Sequence, residues 1–369
     1  MKERQAILMG KNTAAEEAVI LIPSLEPDDR LPAYIRRLSE SGFARIVVVD
    51  DGSAASYQPI FQELETVPGT AVLHHEVNRG KGVALKTGYR YILDRMKGVT
   101  GVITADADGQ HTVEDCLRLA EKLKEGKRAL YLGSRDFSLD HVPPKSRIGN
   151  RTTSVLFKLL YGQWVSDTQT GLRAFRAEDL PFMIDVEGER FEYEMNVLIA
   201  CARADLPMIP VTIETVYENE NKGSHYHPFK DSMRIFKVLL RGFVKFMGSS
   251  LICVLIDQGV FNLLNLAVFG NGQAKAGSLI LASTVIARVI SAGANFLINK
   301  NLVFHQKKGG KAALARYILL SCFIMLASAG GTWLLGKTGM SSTVAKFITD
   351  TLLYFVSFRV QQKWVFRET

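Results

Sequence analysis

The last third of this chain restricts its fold more than any other feature. Four apolar runs lie there, at roughly 244–269, 276–298, 316–336 and 342–360. A helix needs about 20 apolar residues to cross a hydrocarbon core of about 30 Å, so each run is long enough to span one. Residues 243–369 hold 3 acidic side chains against 13 Lys and Arg, whereas residues 1–242 hold 34 against 32. The net charge of +8 therefore belongs to the apolar part. Basic residues set between long apolar runs are how membrane proteins carry charge, which argues against a nucleic-acid partner. A buried helical bundle in a soluble protein is the other home for such runs, and four in series disfavour it.

Loop charge gives an orientation. The link between the second and third runs carries Lys300, Lys307, Lys308, Lys311 and Arg316, and the C-terminal end carries Arg359, Lys363 and Arg367. The opposite loops hold essentially Lys275 and Lys337. The positive-inside rule then predicts a multi-pass protein with both basic loops and the N-terminal part in the cytoplasm. In a bacterium or archaeon the membrane would be the plasma membrane. Asp257, Arg288 and Asp350 fall within or beside the runs, as functional groups or as paired and snorkelling ones. NFLINKNLVF (295–304) and SFRVQQKWVF (357–366) align without gaps, and Lys245-Phe246 aligns with Arg316-Tyr317. This predicts two related helical hairpins, with chance likeness between apolar segments as the alternative. Just before the first run, residues 229–243 alternate apolar side chains with Lys230, Arg234, Lys237 and Arg241. That spacing suits an amphipathic helix on anionic headgroups, or a buried linker helix.

The first 242 residues have another texture. Val- and Ile-rich runs at 18–23, 45–50, 71–76, 101–106 and 129–134 read as buried parallel strands. Helical segments at 28–41, 80–97 and 112–125 separate them, the last opening on Thr112 with Glu114 and Asp115 in its first turn. The alternation predicts an α/β unit with a mostly parallel sheet and helices on both faces, followed by an all-α transmembrane domain. The expected domains are 1–228, an interface helix 229–243 and a membrane part 244–369. The chain length of 369 residues suits two such units, and 47% apolar content excludes disorder. Four scattered cysteines form no CxxC pair, which excludes a zinc ribbon and a disulfide scaffold and fits a reducing compartment. The polar start, MKERQAILMGKNTAAEE, is not expected to act as a signal peptide.

In an open α/β sheet, ligands bind beyond the carboxyl ends of the strands. Four polar clusters fall there: Pro23-Ser24-Leu25-Glu26, Asp50-Asp51-Gly52-Ser53, Asn78-Arg79-Gly80-Lys81-Gly82 and Asp106-Ala107-Asp108-Gly109-Gln110-His111. Asp106 and Asp108, two residues apart at a strand end, suit one hard divalent cation shared with phosphate oxygens. Alone, they also suit a solvated acidic turn. Gly80 and Gly82 open a helix whose N-terminus suits an anion. A simple turn reads the same way, and the Walker spacing is absent.

The order PSLE, DDGS, NRGKG, DADGQH resembles the family-2 glycosyltransferases of GT-A fold. GSRDF (133–137), SRIGNR (146–151) and DTQTGLRAFR (167–176) resemble the polyprenyl-phosphate branch, the dolichyl-phosphate mannose and glucose synthases and their undecaprenyl-phosphate relatives. The last third resembles the GtrA-like four-helix membrane domain. The resemblance implies one sugar moved, with inversion, from UDP-glucose, UDP-N-acetylglucosamine or GDP-mannose to undecaprenyl or dolichyl phosphate, for the cell envelope. It implies Mg²⁺ or Mn²⁺ on Asp106, Asp108 and Gln110. Pro23, Glu26, Asp50, Asp51, Lys81, Asp106 and Gln169 would bind the donor. Arg135, Arg147, Arg151, Lys222 and Ser224 would bind the acceptor phosphate, and Asp106, Asp108, Arg135, Arg147 and Asp167 would be catalytic. Arg147 and Arg151 share a helical face, and surface salt bridges are the alternative use of these arginines. The membrane domain would anchor the catalytic unit and support homo-oligomer contacts, or move the lipid-linked sugar. Two other readings remain at this point: a transporter or scaffold with a non-catalytic sugar-nucleotide domain, and a processive polysaccharide synthase. Gln361-Gln362-Lys363-Trp364 only partly matches the QxxRW motif of the latter.

Overall fold

The computed structural model describes residues 13–137, 139, 142, 144–214, 228–264, 266, 277–304, 306 and 310–366. They form two compact units, Met1–Leu239 and Leu240–Thr369.

The first unit begins with a short helix, α1 (Thr13–Glu17), and then strand β1 (Ala18–Ser24). All seven residues of β1 are buried, as expected of a strand covered on both faces. The chain continues through α2 (Arg30–Glu40), β2 (Arg45–Asp50), α3 (Gln58–Glu65), β3 (Thr70–His74), α4 (Lys81–Arg95) and β4 (Gly101–Thr104). It then forms α5 (Val113–Lys124), β5 (Leu130–Ser134), α6 (Pro144–Tyr161), β6 (Arg173–Arg176), α7 (Leu180–Asp185), α8 (Glu192–Arg203) and β7 (Met208–Thr212). The sheet order is β3-β2-β1-β4-β6-β5-β7. Its strands run parallel except β6, which is antiparallel to both β4 and β5.

Two features of the order place the cleft. After β1 the chain builds outward to β2 and β3, then returns to lay β4 on the other side of β1. The carboxyl ends of β1 and β4 thus border the switch point, where an open α/β sheet leaves a crevice. Ser24 pairs in register with Asp50, so β1 and β2 end level, whereas Thr104 at the end of β4 pairs with Leu21 and the chain past β4 begins lower beside β1. Local chemistry sets the turns. Thr112 caps α5, its hydroxyl accepting the Asp115 N–H at 3.1 Å. Gly52 has φ +79°, and a Cβ there would lie 2.2 Å from the Val77 carbonyl carbon, so only glycine fits the turn after β2.

The second unit contains α9 (Pro228–Leu263, begun in the first unit), α10 (Gly277–Ile298), α11 (Gly310–Gly336) and α12 (Ser342–Val360). α10 and α12 each run into a π-helical turn, Asn299–Val303 and Gln361–Val365. The amphipathic stretch 229–243 is continuous with the first apolar run: α9 is one helix of 36 residues. Met233–Leu263 and Gly310–Gly336 are long and apolar enough to cross a membrane. Leu255, Val289, Leu319 and Phe347 stand more than half exposed, an outer surface that suits lipid better than water.

The sequence repeat reappears as geometry. Lys245 donates to the Leu302 carbonyl at 3.2 Å, and its repeat partner Arg316 donates to the Trp364 carbonyl at 3.1 Å. The Phe246 and Phe358 rings lie 5.3 Å apart, and their counterparts Tyr317 and Phe296 lie 5.5 Å apart. The repeats also meet each other: Phe304 stacks on Phe366 at 5.1 Å, and Asn299 Nδ2 donates to Gln361 Oε1 at 3.0 Å. Asp257 pairs with Arg288 across the first hairpin at 3.6 Å, and Ser328 bonds Asp350 across the second. Asn299 is fully buried and also accepts from Ser249 at 2.5 Å and donates to Asn295 at 2.7 Å. Asn299→Ala should lower stability in detergent by about 1–2 kcal/mol, since polar contacts between membrane helices contribute about 0.6–1.7 kcal/mol each. Thermal unfolding of the full chain checks this.

Candidate active site

The crevice holds three groups of side chains. The first stands at the ends of β1 and β2. Asp50 is 1% exposed; its Oδ1 accepts the Ser53 N–H at 2.9 Å, and its Oδ2 meets Gln58 Nε2 at 3.2 Å and His74 Nδ1 at 3.0 Å. Burial alone would raise its pKa; the bonds from Ser53, His74 and Gln58 outweigh it, and the pKa is lowered. The Ser53 hydroxyl accepts the Glu26 N–H at 2.8 Å and holds Glu26 at φ +48°, a backbone state that non-glycine residues seldom take. Glu26 is exposed, while Pro23 is buried beneath it. The buried Ser24 hydroxyl has no hydrogen-bond partner among the described residues.

Asp51 faces elsewhere. Its Oδ1 accepts the Arg79 N–H at 3.0 Å and meets His75 Nδ1 at 2.7 Å, and its Oδ2 accepts the Gly80 N–H at 2.7 Å. The Thr87 hydroxyl lies 3.0 Å from His75 Nε2 and fixes the ring from behind. Asp51 therefore ties down the turn before α4. That turn is closed on its far side as well. A Cβ on Gly80 would lie 2.5 Å from the Glu189 carbonyl oxygen, and Val83 N–H donates to the same oxygen at 3.0 Å. The N-terminus of α4 is thus partly capped by protein, and the side chain it offers the crevice is Lys81.

Lys81 belongs to the second group. Its Nζ lies 2.7 Å from Asp106 Oδ1 and 3.0 Å from Glu194 Oε1. Asp106 Oδ2 faces His111 Nε2 at 3.3 Å. Burial disfavours the charge on both partners, yet Asp106 and Glu194 raise the pKa of Lys81, and Lys81 with His111 lowers that of Asp106. Asp108 behaves oppositely: burial first, then the charge of Asp106, raises its pKa, with the Gln110 N–H donating to it at 3.1 Å. Two carboxylates two residues apart beyond a strand end, one of them held against its neighbour's charge, are a donor pair of the kind a hard divalent cation takes with phosphate oxygens, so the chemistry of Asp106 and Asp108 suits Mg²⁺ or Mn²⁺. Gly171 makes room for this: a Cβ there would lie 2.3 Å from Asp106 Oδ2. Gly171→Ala should push the Asp106 carboxylate aside and cut Mn²⁺ affinity about tenfold, about 1.4 kcal/mol. Titration of Mn²⁺ into the full chain measures it.

The third group lies at the end of β5. Asp167 is fully buried and takes both arms of Arg135, Nε to Oδ2 at 2.7 Å and Nη2 to Oδ1 at 3.1 Å. It also accepts the Gln169 N–H at 3.1 Å. Asn150 on α6 pins the same loop, donating to the Ser166 carbonyl at 2.5 Å and accepting the Thr168 N–H at 3.0 Å. Arg147 and Arg151 are exposed on α6, with Arg147 reaching the Leu139 carbonyl at 2.9 Å. Lys222 and Ser224 lie outside the described residues. Sequence reasoning missed Glu194, Asn150, His74, His75 and Gly171 as site-builders. Only Gly171, in the TGL turn two residues after Gln169, carries a local signal.

Residues 19–181 match the family described as Glycosyl transferase family 2, and residues 245–366 match the GtrA/DPMS transmembrane domain. An uncharacterised protein of Methanocaldococcus jannaschii is 29% identical over 61% of this chain and 92% of its own. A UDP-N-acetylglucosamine–dolichyl-phosphate N-acetylglucosaminyltransferase of Methanococcus voltae is 27% identical over 54% and 85%. An undecaprenyl-phosphate mannosyltransferase of Micrococcus luteus is 26% identical over 55% and 86%. Among solved structures, a glucosyl-3-phosphoglycerate synthase from Mycobacterium tuberculosis with Mg²⁺ and UDP is similar at a TM-score of 0.47 and 16% identity, over 63% of this chain and 82% of that one.

Proposed function

Because the chain is a family 2 glycosyltransferase that continues into a GtrA/DPMS transmembrane domain, we propose that it moves one sugar from a nucleotide sugar to a polyprenyl phosphate. The observation that carries this reading is an acidic centre, Asp106 and Asp108, packed at Gly171 against the loop whose Asp167 holds Arg135; Arg147 and Arg151 on the exposed side of α6 complete the arginine group in this reading. Relatives named for dolichyl-phosphate and undecaprenyl-phosphate acceptors support the lipid. The membrane domain keeps the enzyme beside such a lipid, with the catalytic unit on the cytoplasmic side.

The chemistry follows from charge. A sugar hydroxyl needs a general base to attack, but a lipid phosphate is already ionised at pH 7, so no base is required. The difficulty is bringing two anions together: unscreened repulsion between charges 4 Å apart is about 4 kcal/mol at an effective dielectric of 20. Arg135, Arg147 and Arg151 offset it on the acceptor side, with forked guanidiniums that match phosphate oxygens. Asp106 and Asp108 would hold the divalent cation, which when bound neutralises charge on the donor diphosphate. Asp50 and Glu26, held by Ser53, form the seat of the nucleotide. Asp51 and Asp167 act through their partners, one fixing the turn that presents Lys81, the other aiming Arg135. In-line attack by the phosphate oxygen breaks the bond from the anomeric carbon to the diphosphate and inverts that carbon. The test incubates the full chain in lipid with undecaprenyl or dolichyl phosphate, Mn²⁺ and labelled sugar nucleotides. Label should pass into the organic phase from one donor and stay out when EDTA is present. No transfer from any donor by folded protein would refute the reading.

A further inference from the structure

Both oxygens of Asp106 are occupied by the chain itself. Lys81 Nζ stands 2.7 Å from Oδ1, and His111 Nε2 stands 3.3 Å from Oδ2. Lys81 is 18% exposed and sits between two carboxylates, since Glu194 Oε1 lies 3.0 Å from the same ammonium. Glu194 comes from the start of α8, far from Asp106 in sequence, and no metal-ligand spacing links the two. The ammonium is therefore on the oxygen that a cation at Asp106 would need.

We propose that Lys81 is a resident counter-charge that competes with the divalent cation for Asp106, and that Glu194 is the seat to which Lys81 withdraws. This rests on the reading of Asp106 and Asp108 as cation ligands. A bare cation must take Asp106 from an ammonium already there, so it binds weakly. A nucleoside diphosphate changes the balance, because its oxygens serve the cation and offer the ammonium a second anion. Cation and nucleotide then bind with positive coupling, which acts equally in both directions. Glu194 touches neither and is a positioning residue: it keeps Lys81 paired while Asp106 is given up. Without Glu194, displaced Lys81 has no carboxylate to go to, and displacement becomes harder.

The experiment titrates Mn²⁺ into the full chain in detergent and follows the free-ion EPR signal, with and without UDP or GDP. The wild type should bind Mn²⁺ alone weakly and gain at least about tenfold with its nucleotide, within the usual range of coupling between sites. Lys81→Gln should bind Mn²⁺ alone about tenfold tighter than wild type and gain less from nucleotide, having lost the competing charge. Glu194→Gln should shift the other way, to weaker binding of Mn²⁺ alone. Opposite signs from two neutralising changes at one ion pair are not what loss of structure produces. Unchanged or weaker binding by Lys81→Gln, or tighter binding by Glu194→Gln, overturns the proposal. If Lys81→Gln fails to fold, the sign for Glu194→Gln decides alone. If no protein binds Mn²⁺ even with nucleotide, the cation site itself is refuted and the proposal falls with it.

Discussion

Asp108→Asn should reduce sugar transfer to the lipid by at least about 10³-fold, about 4 kcal/mol of transition-state stabilisation, while leaving the protein at least as stable as before. The two halves of that result have one cause. Asp108 is a carboxylate that its surroundings oppose: burial and the charge of Asp106 raise its pKa. On balance its charge is opposed by burial and by Asp106, so neutralising it relieves repulsion. Asparagine keeps the shape and the oxygen that accepts the Gln110 N–H. What is lost is half of the anionic pair that would hold the cation on the donor diphosphate. Transfer rate and thermal unfolding measured on one preparation read both halves. A variant that loses activity and stability together would instead make Asp108 a structural acid of its turn.

The second large effect concerns stability. Arg135→Ala should destabilise the catalytic unit by about 3–5 kcal/mol, the usual cost of stripping the partner from a buried charge. Asp167 is wholly buried and faces both arms of the guanidinium. With the guanidinium gone, two backbone N–H groups remain to it, that of Gln169 at 3.1 Å and that of residue 135 at 3.4 Å, and, among the described residues, no positive charge. Arg135→Ala combined with Asp167→Asn should recover most of that loss, because the stranded charge is removed. The recovered protein should still be a poor enzyme, with an acceptor KM raised about 100-fold, since a bidentate phosphate contact is absent. Chemical unfolding of the two single variants and the double closes the cycle. Additive losses would mean that Arg135 and Asp167 stabilise the fold separately.

Much of the crevice was readable in sequence for a simple reason. Strands buried on both faces appear as unbroken apolar runs, so the residues that end them stand out. Asp50 after RIVVV and Asp106 after GVIT are such residues, and Thr112 marked the helix that follows. Direction and partnership were not readable. GLRAFR shows a strand, but nothing in its residue types tells that β6 runs against β4 and β5. The partners of Lys81 and Asp51 are set by the sheet order, which brings α8 and the turn before α4 to places no spacing rule encodes. The continuity of α9 was hidden for another reason. Its apolar stripe widens to cover the whole helix near residue 244, which looks like a boundary in composition, although no proline interrupts the backbone there.

The matched contacts of the second unit carry a consequence for its ancestry and handling. Each hairpin starts and finishes at the same end of the bundle, with Lys245 beside Leu302 and Arg316 beside Trp364. Tandem copying of an up-and-down pair never reverses the copy, so the two halves face each other as two subunits of a small symmetric dimer would. Asn299 and Gln361, at equivalent positions of the two repeats, meet at that junction. The peptide between the hairpins is then a tether, and cutting it should leave two fragments that still associate.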